Sequence, residues 1–130
     1  MNVEVFALCD AATDSGGKLN VLGAFDSLQV GAYPTVYPHC AVAVRIRFRR
    51  IEQGNHRFLL HFVDEDGKLL ISPLDATINI AIPPSESSVC ANLILNIRDL
   101  NLPAAGVYAI NLAVDGRQEA TLPLIARIKP

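Results

Sequence analysis

The sequence predicts an all-β protein made of antiparallel strands, and the main evidence is a period of two in its side chains. In Leu74–Ile82, apolar residues occupy every second position, and most positions between them are polar. Successive side chains point to opposite faces only in an extended strand, so this run is a strand with one buried face. Further runs alternate in the same way, and none of them keeps the helical period.

The first part of the chain is predicted to form a hairpin followed by an irregular segment. Val3–Cys9 and Lys18–Phe25 are apolar runs on either side of Asp14–Gly17, and a Gly-rich turn supplies the positive φ angles that a tight reversal needs. Asp26–Pro38 is predicted to be the longest irregular stretch. Its two prolines each lack a backbone donor, which excludes this piece from a central strand.

The middle of the chain is predicted to form a second hairpin, from His39–Arg50 and His56–Asp64, with Glu52–Asn55 as the turn. Alternation places one residue set of each strand toward the core. The inward set of the two strands is Cys40, Val42, Val44, Ile46, Phe48, Phe58, Leu60 and Phe62. Cys40 is therefore expected to act as a small core hydrophobe.

The last part contributes the remaining strands. A short piece at Leu69–Ile71 and the Leu74–Ile82 strand precede a proline pair, after which Val89–Ile97 alternates again. Val107–Val114 and Glu119–Ile128 flank Asp115-Gly116, a dipeptide typical of two-residue hairpin turns. Pro123 indicates that its part of the last strand is an edge or a bulge, because proline has no backbone N–H to donate to a neighbouring strand.

Eight or nine strands at this spacing predict an antiparallel two-sheet β-sandwich within a single domain, residues 1–130, and the alternative is a small β-barrel. The loop Leu102–Gly106 before Tyr108 resembles the corner of immunoglobulin-like domains at which a tyrosine hydroxyl bonds back to the preceding backbone. The chain has no Trp, so the implied architecture is Ig-like only in a loose sense.

Composition narrows the function classes. A net charge of −2 and a pI near 5.8 argue against a nucleic-acid binder, which is usually strongly basic. The three cysteines have no CxxC spacing and cannot all pair, the N-terminus lacks a basic leader, and no apolar stretch approaches about 18 residues. We therefore expect a cytoplasmic protein with no cofactor and no membrane association.

Several motifs also resemble a known family. They are Phe6–Asp10, Gly17–Asp26, the prolines at 34 and 38 ahead of Ala41–Ile46, and Asp64–Lys68. Together they resemble a family of short bacterial proteins whose function is unknown, along essentially the whole chain. The resemblance implies a bacterial source, and it supplies no activity or site.

The first candidate site is a basic patch on the middle hairpin. If Phe48 pairs with Phe58, the outer face of that hairpin carries Arg45, Arg47, Arg49, Arg57 and His61. Like charges placed opposite each other destabilise a sheet pair by about 0.2–1 kcal/mol, so the patch indicates an anionic partner such as a phosphate or a nucleic-acid backbone. In the alternative interpretation another strand or subunit supplies an acid as counter-charge, Asp75 or Glu119 for example.

The second candidate is the segment Tyr33–Pro38. Tyrosines and prolines on a long loop offer rigid apolar area for binding. Alternatively, Tyr33 and Tyr37 lie over an open end of the sandwich and close it.

Metal binding and catalysis have weaker support. Asp64–Lys68 lacks the spacing of a calcium loop and is better interpreted as an acidic turn, and Asp10, Asp14 and Asp26 form no motif. No GxSxG, HxH or HExxH occurs, so a hydrolase would have to use His61 or Cys90 near an acid.

The hypothesis that follows is a non-enzymatic binding or assembly module, most simply a homo-oligomer or a partner of another protein. Its basis is the outward apolar residues Leu59, Val63 and Ile94 together with two alanine rows, Ala41/Ala43 and Ala109/Ala113. A row of alanines lets a second sheet approach closely. The competing hypothesis is anion or nucleic-acid binding by the four arginines of the middle hairpin.

Overall fold

A computed structural model describes all 130 residues and consists of two packed β-sheets. The strands are β1 (Asn2–Ser15), β2 (Lys18–Ala24), β3 (Ser27–Val30), β4 (Thr35–Arg49), β5 (Gly54–Val63), β6 (Leu74–Ile80), β7 (Ser88–Leu102), β8 (Gly106–Val114) and β9 (Arg117–Ile128). One 3₁₀ turn, Arg50–Glu52, joins β4 to β5. The predicted all-β sandwich is confirmed.

The four-stranded sheet has the order β2-β1-β4-β7, and the five-stranded sheet has the order β3-β9-β8-β5-β6 and curls into a half-barrel. All neighbours are antiparallel except β3 and β9, which run parallel. The predicted β1–β2 and β8–β9 hairpins are present, and Asp115 and Gly116 have φ values of 52° and 81°. These positive angles are what a two-residue hairpin turn requires.

The core lies between the sheets and contains the inward residue set that alternation predicts. Phe48, Phe58, Val42, Val44 and Ile46 are all fully buried. The Phe48 and Phe58 rings meet edge to face with centroids 6.1 Å apart, a favoured aromatic geometry.

The predicted hairpin between β4 and β5 is wrong. Strand β4 pairs with β1 and β7, whereas β5 pairs with β6 and β8 in the other sheet. Phe48 and Phe58 therefore face each other across the core and are not neighbours in one ladder. Alternation shows that both strands bury the same kind of face, but it does not distinguish side-by-side pairing from face-to-face packing.

The segment Asp26–Pro38 is also more regular than predicted. It contains all of β3 and the first residues of β4. Pro38 lies where β4 is paired with β7 alone, because β1 reaches only from Ala41 to Arg47 along β4. Only one side of β4 is paired at Pro38, and such an edge is a position that proline tolerates.

Pro123 obeys the same rule. Strand β3 pairs with β9 only at Ile125–Ile128, so β9 is an edge strand at Pro123, as predicted.

The protein forms no helix of the length and hydrophobicity that a bilayer crossing requires.

Candidate binding surfaces

The predicted basic patch is not formed, because the sheets separate its members. Arg45, Arg47 and Arg49 lie on the outer face of the four-stranded sheet, while Arg57 and His61 lie on the outer face of the five-stranded sheet. This separation follows directly from the placement of β4 and β5 in different sheets.

Two of the arginines share one carboxylate. A register shift between Val3 and Val5 places Glu4 in a bulge of β1, beside β4. Arg45 Nε donates to Glu4 Oε1 at 3.0 Å, and Arg47 Nε donates to Glu4 Oε2 at 2.5 Å. The Arg47 hydrogen bond, with further ones from Cys90 and Arg45, outweighs burial and lowers the pKa of Glu4 to about 2. Glu4 therefore stays ionised and neutralises part of this surface.

The remaining arginines also face carboxylates. Arg57 binds Asp75 through two parallel hydrogen bonds of 3.0 and 2.8 Å, and Arg49 lies 3.7 Å from Glu52. The alternative interpretation named Asp75 as counter-charge, and for Arg57 it is confirmed. Every predicted arginine therefore lies beside an acid, which offsets part of the positive charge that an anion would meet.

The outer face of the four-stranded sheet is covered by the chain itself. Beyond Cys9, β1 pairs with β2 but no longer with β4. The tip of this β1–β2 hairpin lies over the outer face of the four-stranded sheet. Arg45 Nη1 and Asn92 Nδ2 each donate to the Gly17 carbonyl at 3.2 Å. Ala12 and Leu19 of the hairpin pack against a small cluster formed by Cys9, Ala41 and Ala43, all of which are fully buried.

This cover changes the role of one predicted alanine row. Ala41 and Ala43 do let another β element approach closely, but that element is the hairpin of the same chain. Ile94 packs against the same cluster from β7. The expectation that Ala41 and Ala43 contact a second subunit is therefore wrong.

The tyrosines of the Tyr33–Pro38 segment are packed against the core. Tyr33 donates its hydroxyl to the Arg127 carbonyl at 2.8 Å, and Tyr37 donates to Asp10 Oδ1 at 2.8 Å. Both rings are half-buried, and Tyr37 lies against Phe25 with centroids 5.5 Å apart. Burial and the Asp10 bond raise the pKa of Tyr37 to about 12. This geometry favours the alternative in which the tyrosines close the structure.

The acidic turn satisfies its own backbone. Asp64 Oδ1 accepts from the amides of Asp66 and Lys68 at 2.9 Å, and Glu65 accepts from the Val107 amide at 2.8 Å. No group of three or more metal-ligating side chains converges anywhere in the structure. Beside this turn, Tyr108 donates to the Ala104 carbonyl at 2.6 Å, which confirms the predicted tyrosine corner contact.

The two groups considered for a hydrolase lie on opposite sheets. Cys90 is on the outer face of β7 beside Glu4, whereas His61 is on the outer face of β5. Burial and the Glu4 hydrogen bond raise the pKa of Cys90, so its thiol is less ionised than a free cysteine. His39 and His56 make hydrogen bonds to backbone carbonyls, which leaves no histidine beside this thiol.

The outer face of the five-stranded sheet is different, because no segment covers its centre. The register places Leu59, Val63, Ala109 and Ala113 there, as predicted, with Asn111 and Thr121 hydrogen-bonded at 2.8 Å between them. Sequence reasoning missed Val107, Pro123 and Ile125 as further members, although the alternation of β8 and β9 assigns them to this face. We call these residues, together with His61, the open face.

Charged side chains lie only around the open face. The Arg57–Asp75 pair is at the β6 side, and Arg127 is at the β3 side. Val107 is 49 % exposed and Leu69, bridged to Val63, is 45 % exposed. The centre is therefore an uncharged surface of small and medium side chains that meets solvent.

These features define a class: a two-sheet β-sandwich with one face covered by its own hairpin and one uncharged face open. The chain belongs to DUF6941, a family of unknown function, whose model matches residues 4–127. No curated protein matches the chain. The family membership confirms the resemblance seen in the sequence, and the case for a function rests on the surfaces described above.

Proposed function

We propose that the protein is a non-enzymatic assembly module of the bacterial cytoplasm whose open face binds a second copy of the same chain. The observation that carries the proposal is an uncharged sheet face that nothing in the chain covers, beside another face that the chain does cover. Leu59, Val63, Ala109 and Ala113 are only half-buried within one chain, and apolar patches rimmed by polar residues mark protein–protein interaction sites.

The dimensions of the open face suit a sheet-on-sheet contact. Ala109, Asn111 and Ala113 run along β8 at its centre, and such small side chains permit the face-to-face spacing of about 10 Å that packed sheets adopt. With strands about 4.8 Å apart and a rise of about 3.3 Å per residue, the three strands of the open face present a footprint of roughly 330 Å² over the seven residues from Val107 to Ala113. A standard interface buries about 800 Å² on each partner, so a stable contact also has to bury the margins on β3 and β6.

A second copy also suits the chemistry of this face. Two copies related by a two-fold axis bring the same patch together, and an uncharged centre avoids repulsion between like charges. His61, Asn111 and Thr121 lie side by side across three strands and supply donors and acceptors that a copy of themselves complements. The three free thiols support the cytoplasmic part of the proposal, because Cys9 of β1 and Cys40 of β4 are buried unpaired on opposite faces of the four-stranded sheet.

Sedimentation velocity at micromolar concentration tests the proposal. The wild type is expected to sediment as a dimer, and Ala109→Lys is expected to sediment as a monomer because it places a charge at the centre of the contact. Ala32→Lys is the matched control, since Ala32 is exposed outside the open face. A monomeric wild type contradicts the proposal. If only Ala32→Lys dissociates the dimer, the contact lies at the Tyr33–Pro38 segment and not on the open face, which also contradicts the proposal.

A further inference from the structure

One flank of the sandwich has an open slot between the edges of its two sheets. Its volume is about 380 Å³, room for about a dozen water molecules at roughly 30 Å³ each. The slot is lined by Phe6–Leu8 of β1, Ala24–Asp26 after β2, and Leu122–Pro123 of β9. Each segment contributes consecutive residues, and consecutive side chains point to opposite faces of a strand. The slot therefore follows the edges of the strands.

The edge of β1 beside the slot has hydrogen-bonding groups without a neighbouring strand. Strand β2 pairs with β1 only from Cys9 to Ser15, and the last contact is the Phe25 amide donating to the Leu8 carbonyl at 2.9 Å. Beyond it the chain crosses to the other sheet, where Asp26 accepts from the Ile125 amide at 2.8 Å. Because backbone groups alternate along a strand, the amide and carbonyl of Phe6 point to the same side as the Leu8 carbonyl.

The opposite wall is less suited to pairing. Pro123 lies on the open edge of β9 and has no amide hydrogen, which blunts that edge against strand addition. An extended segment in the slot would therefore pair with β1, in line with β2, and would rest its side chains against the apolar walls. None of the other cavities lies between β6 and β7, so the other flank offers no equivalent slot.

The negative charge of Asp26 indicates that an occupant of the slot carries a basic residue. Asp26 is the one charged residue among those that line it, and its exposed carboxylate takes part in no ion pair. A lysine or arginine placed next to an apolar extended segment would complement it. Phe6, Phe25 and Leu122 supply the apolar contact area.

We propose that this slot binds an extended peptide segment of a partner protein, which adds to the edge of β1 as a further strand. The segment alternates apolar residues with others and carries a basic residue that meets Asp26. Its backbone bonds to Phe6, and this mode of recognition gives affinity through the main chain and specificity through alternate side chains. The slot and the open face meet at Pro123, but β1 and Ala24–Asp26 supply most of the slot and none of the open face, so this proposal goes beyond the proposed function.

A fluorescein-labelled peptide with the sequence Lys-Val-Thr-Val-Thr-Val-Thr is a suitable probe. The same peptide with Glu in place of Lys is the control peptide. We expect fluorescence anisotropy to show at least about tenfold tighter binding of the lysine peptide. Asp26→Lys is expected to reverse this preference, and Ala24→Trp, which fills the slot, to weaken binding at least about tenfold. Ala32→Trp is the matched control outside the slot and is expected to bind as the wild type does.

Amide exchange measured by NMR distinguishes a strand from other occupants. The Phe6 amide is expected to exchange at least about tenfold more slowly with the lysine peptide bound. Binding that leaves this rate unchanged indicates a side-chain or small-molecule site and overturns the proposal, as does no binding at millimolar peptide or equal binding by Asp26→Lys. Ala113→Lys, which lies on the open face opposite Leu59 and Gln118 and away from Pro123, is expected to bind the peptide normally, so the two proposals fail independently.

Discussion

The two outer faces of the sandwich begin from similar strands and end with different surfaces. Each has a row of alanines on a central strand, Ala41/Ala43 on β4 and Ala109/Ala113 on β8. On the four-stranded sheet the β1–β2 hairpin lies over this row, and Arg45 and Arg47 beside it are partly neutralised by Glu4. On the five-stranded sheet no segment reaches the row, and the charged residues stay at its margins. The comparison indicates that a sheet face acquires its role from what the rest of the chain places over it.

The largest expected effect comes from adding the same charge to both alanine rows. Ala43→Lys is expected to lower the free energy of unfolding by more than about 3 kcal/mol, because the ammonium group is forced under the hairpin without a partner. Ala109→Lys is expected to change the stability of the monomer by less than about 0.5 kcal/mol, since its side chain reaches solvent.

Urea denaturation followed by circular dichroism measures both values, at two protein concentrations because association adds to apparent stability. If the two variants lose equal stability in the dilute limit, the two faces do not differ as described.

The second effect concerns the hairpin that makes the difference. Leu19→Ala removes part of the apolar cover over Cys9, and because Leu19 is half-buried we expect a loss of about 1–2 kcal/mol. Alkylation of Cys9, measured by mass spectrometry, is expected to accelerate about tenfold.

Burial raises the pKa of Cys9, with Asp10 adding to the effect, and burial raises the pKa of Cys40 to about 11, so neither thiol reacts before its surroundings open. Cys40 lies between the sheets and is expected to keep its wild-type rate. Leu22→Ala, at a position 70 % exposed on the same hairpin, is the control. Equal acceleration at Cys9 and Cys40 would mean that the hairpin does not open separately from the core.

The sequence was sufficient to predict which side chains face inward but not which strands are neighbours. Phe48 and Phe58 do meet in the core, yet across the two sheets. Side-by-side and face-to-face strands bury the same alternating positions, so the pattern alone does not separate them. The β8–β9 hairpin was predictable because Asp115-Gly116 joins its strands through two residues. The connection between β4 and β5 has no such constraint.

The sequence predicts the properties of a surface only where residues close together in the chain form it. Glu4 and Arg45 are far apart in sequence and meet because β1 lies beside β4, which no local pattern states. The two alanine rows look alike in the sequence, and only the course of the β1–β2 hairpin separates them. Asp75 could be named as a counter-charge for Arg57 because both lie on outer faces of polar-patterned strands.

A third, smaller effect tests whether the covered face is neutralised from within. Glu4→Gln leaves Arg45 and Arg47 without their carboxylate, and the variant is expected to bind phosphocellulose and elute at higher salt than the wild type. Glu119→Gln removes the same charge from an exposed residue outside any ion pair and is the control. Identical elution of both variants would show that Glu4 is not what screens these arginines.

The smallest effect belongs to His56, which lies where the chain passes from one sheet to the other. Its Nδ1 lies 2.6 Å from Asp115 Oδ2 and its Nε2 lies 2.5 Å from the Glu52 carbonyl, so both ring nitrogens face acceptors. Burial of the ring lowers the pKa of His56, but these two hydrogen bonds and the nearby carboxylate charges outweigh it and raise the pKa above its usual value.

A raised pKa means that the folded protein binds this proton more tightly than the unfolded chain. The stabilisation is therefore complete below about pH 6.5, the usual histidine value, and is lost as the pH rises through the higher pKa of the folded state. We expect the wild type to lose stability across this range and His56→Gln to lose less, measured by urea denaturation at several pH values. Equal slopes for the wild type and His56→Gln would contradict the pKa shift.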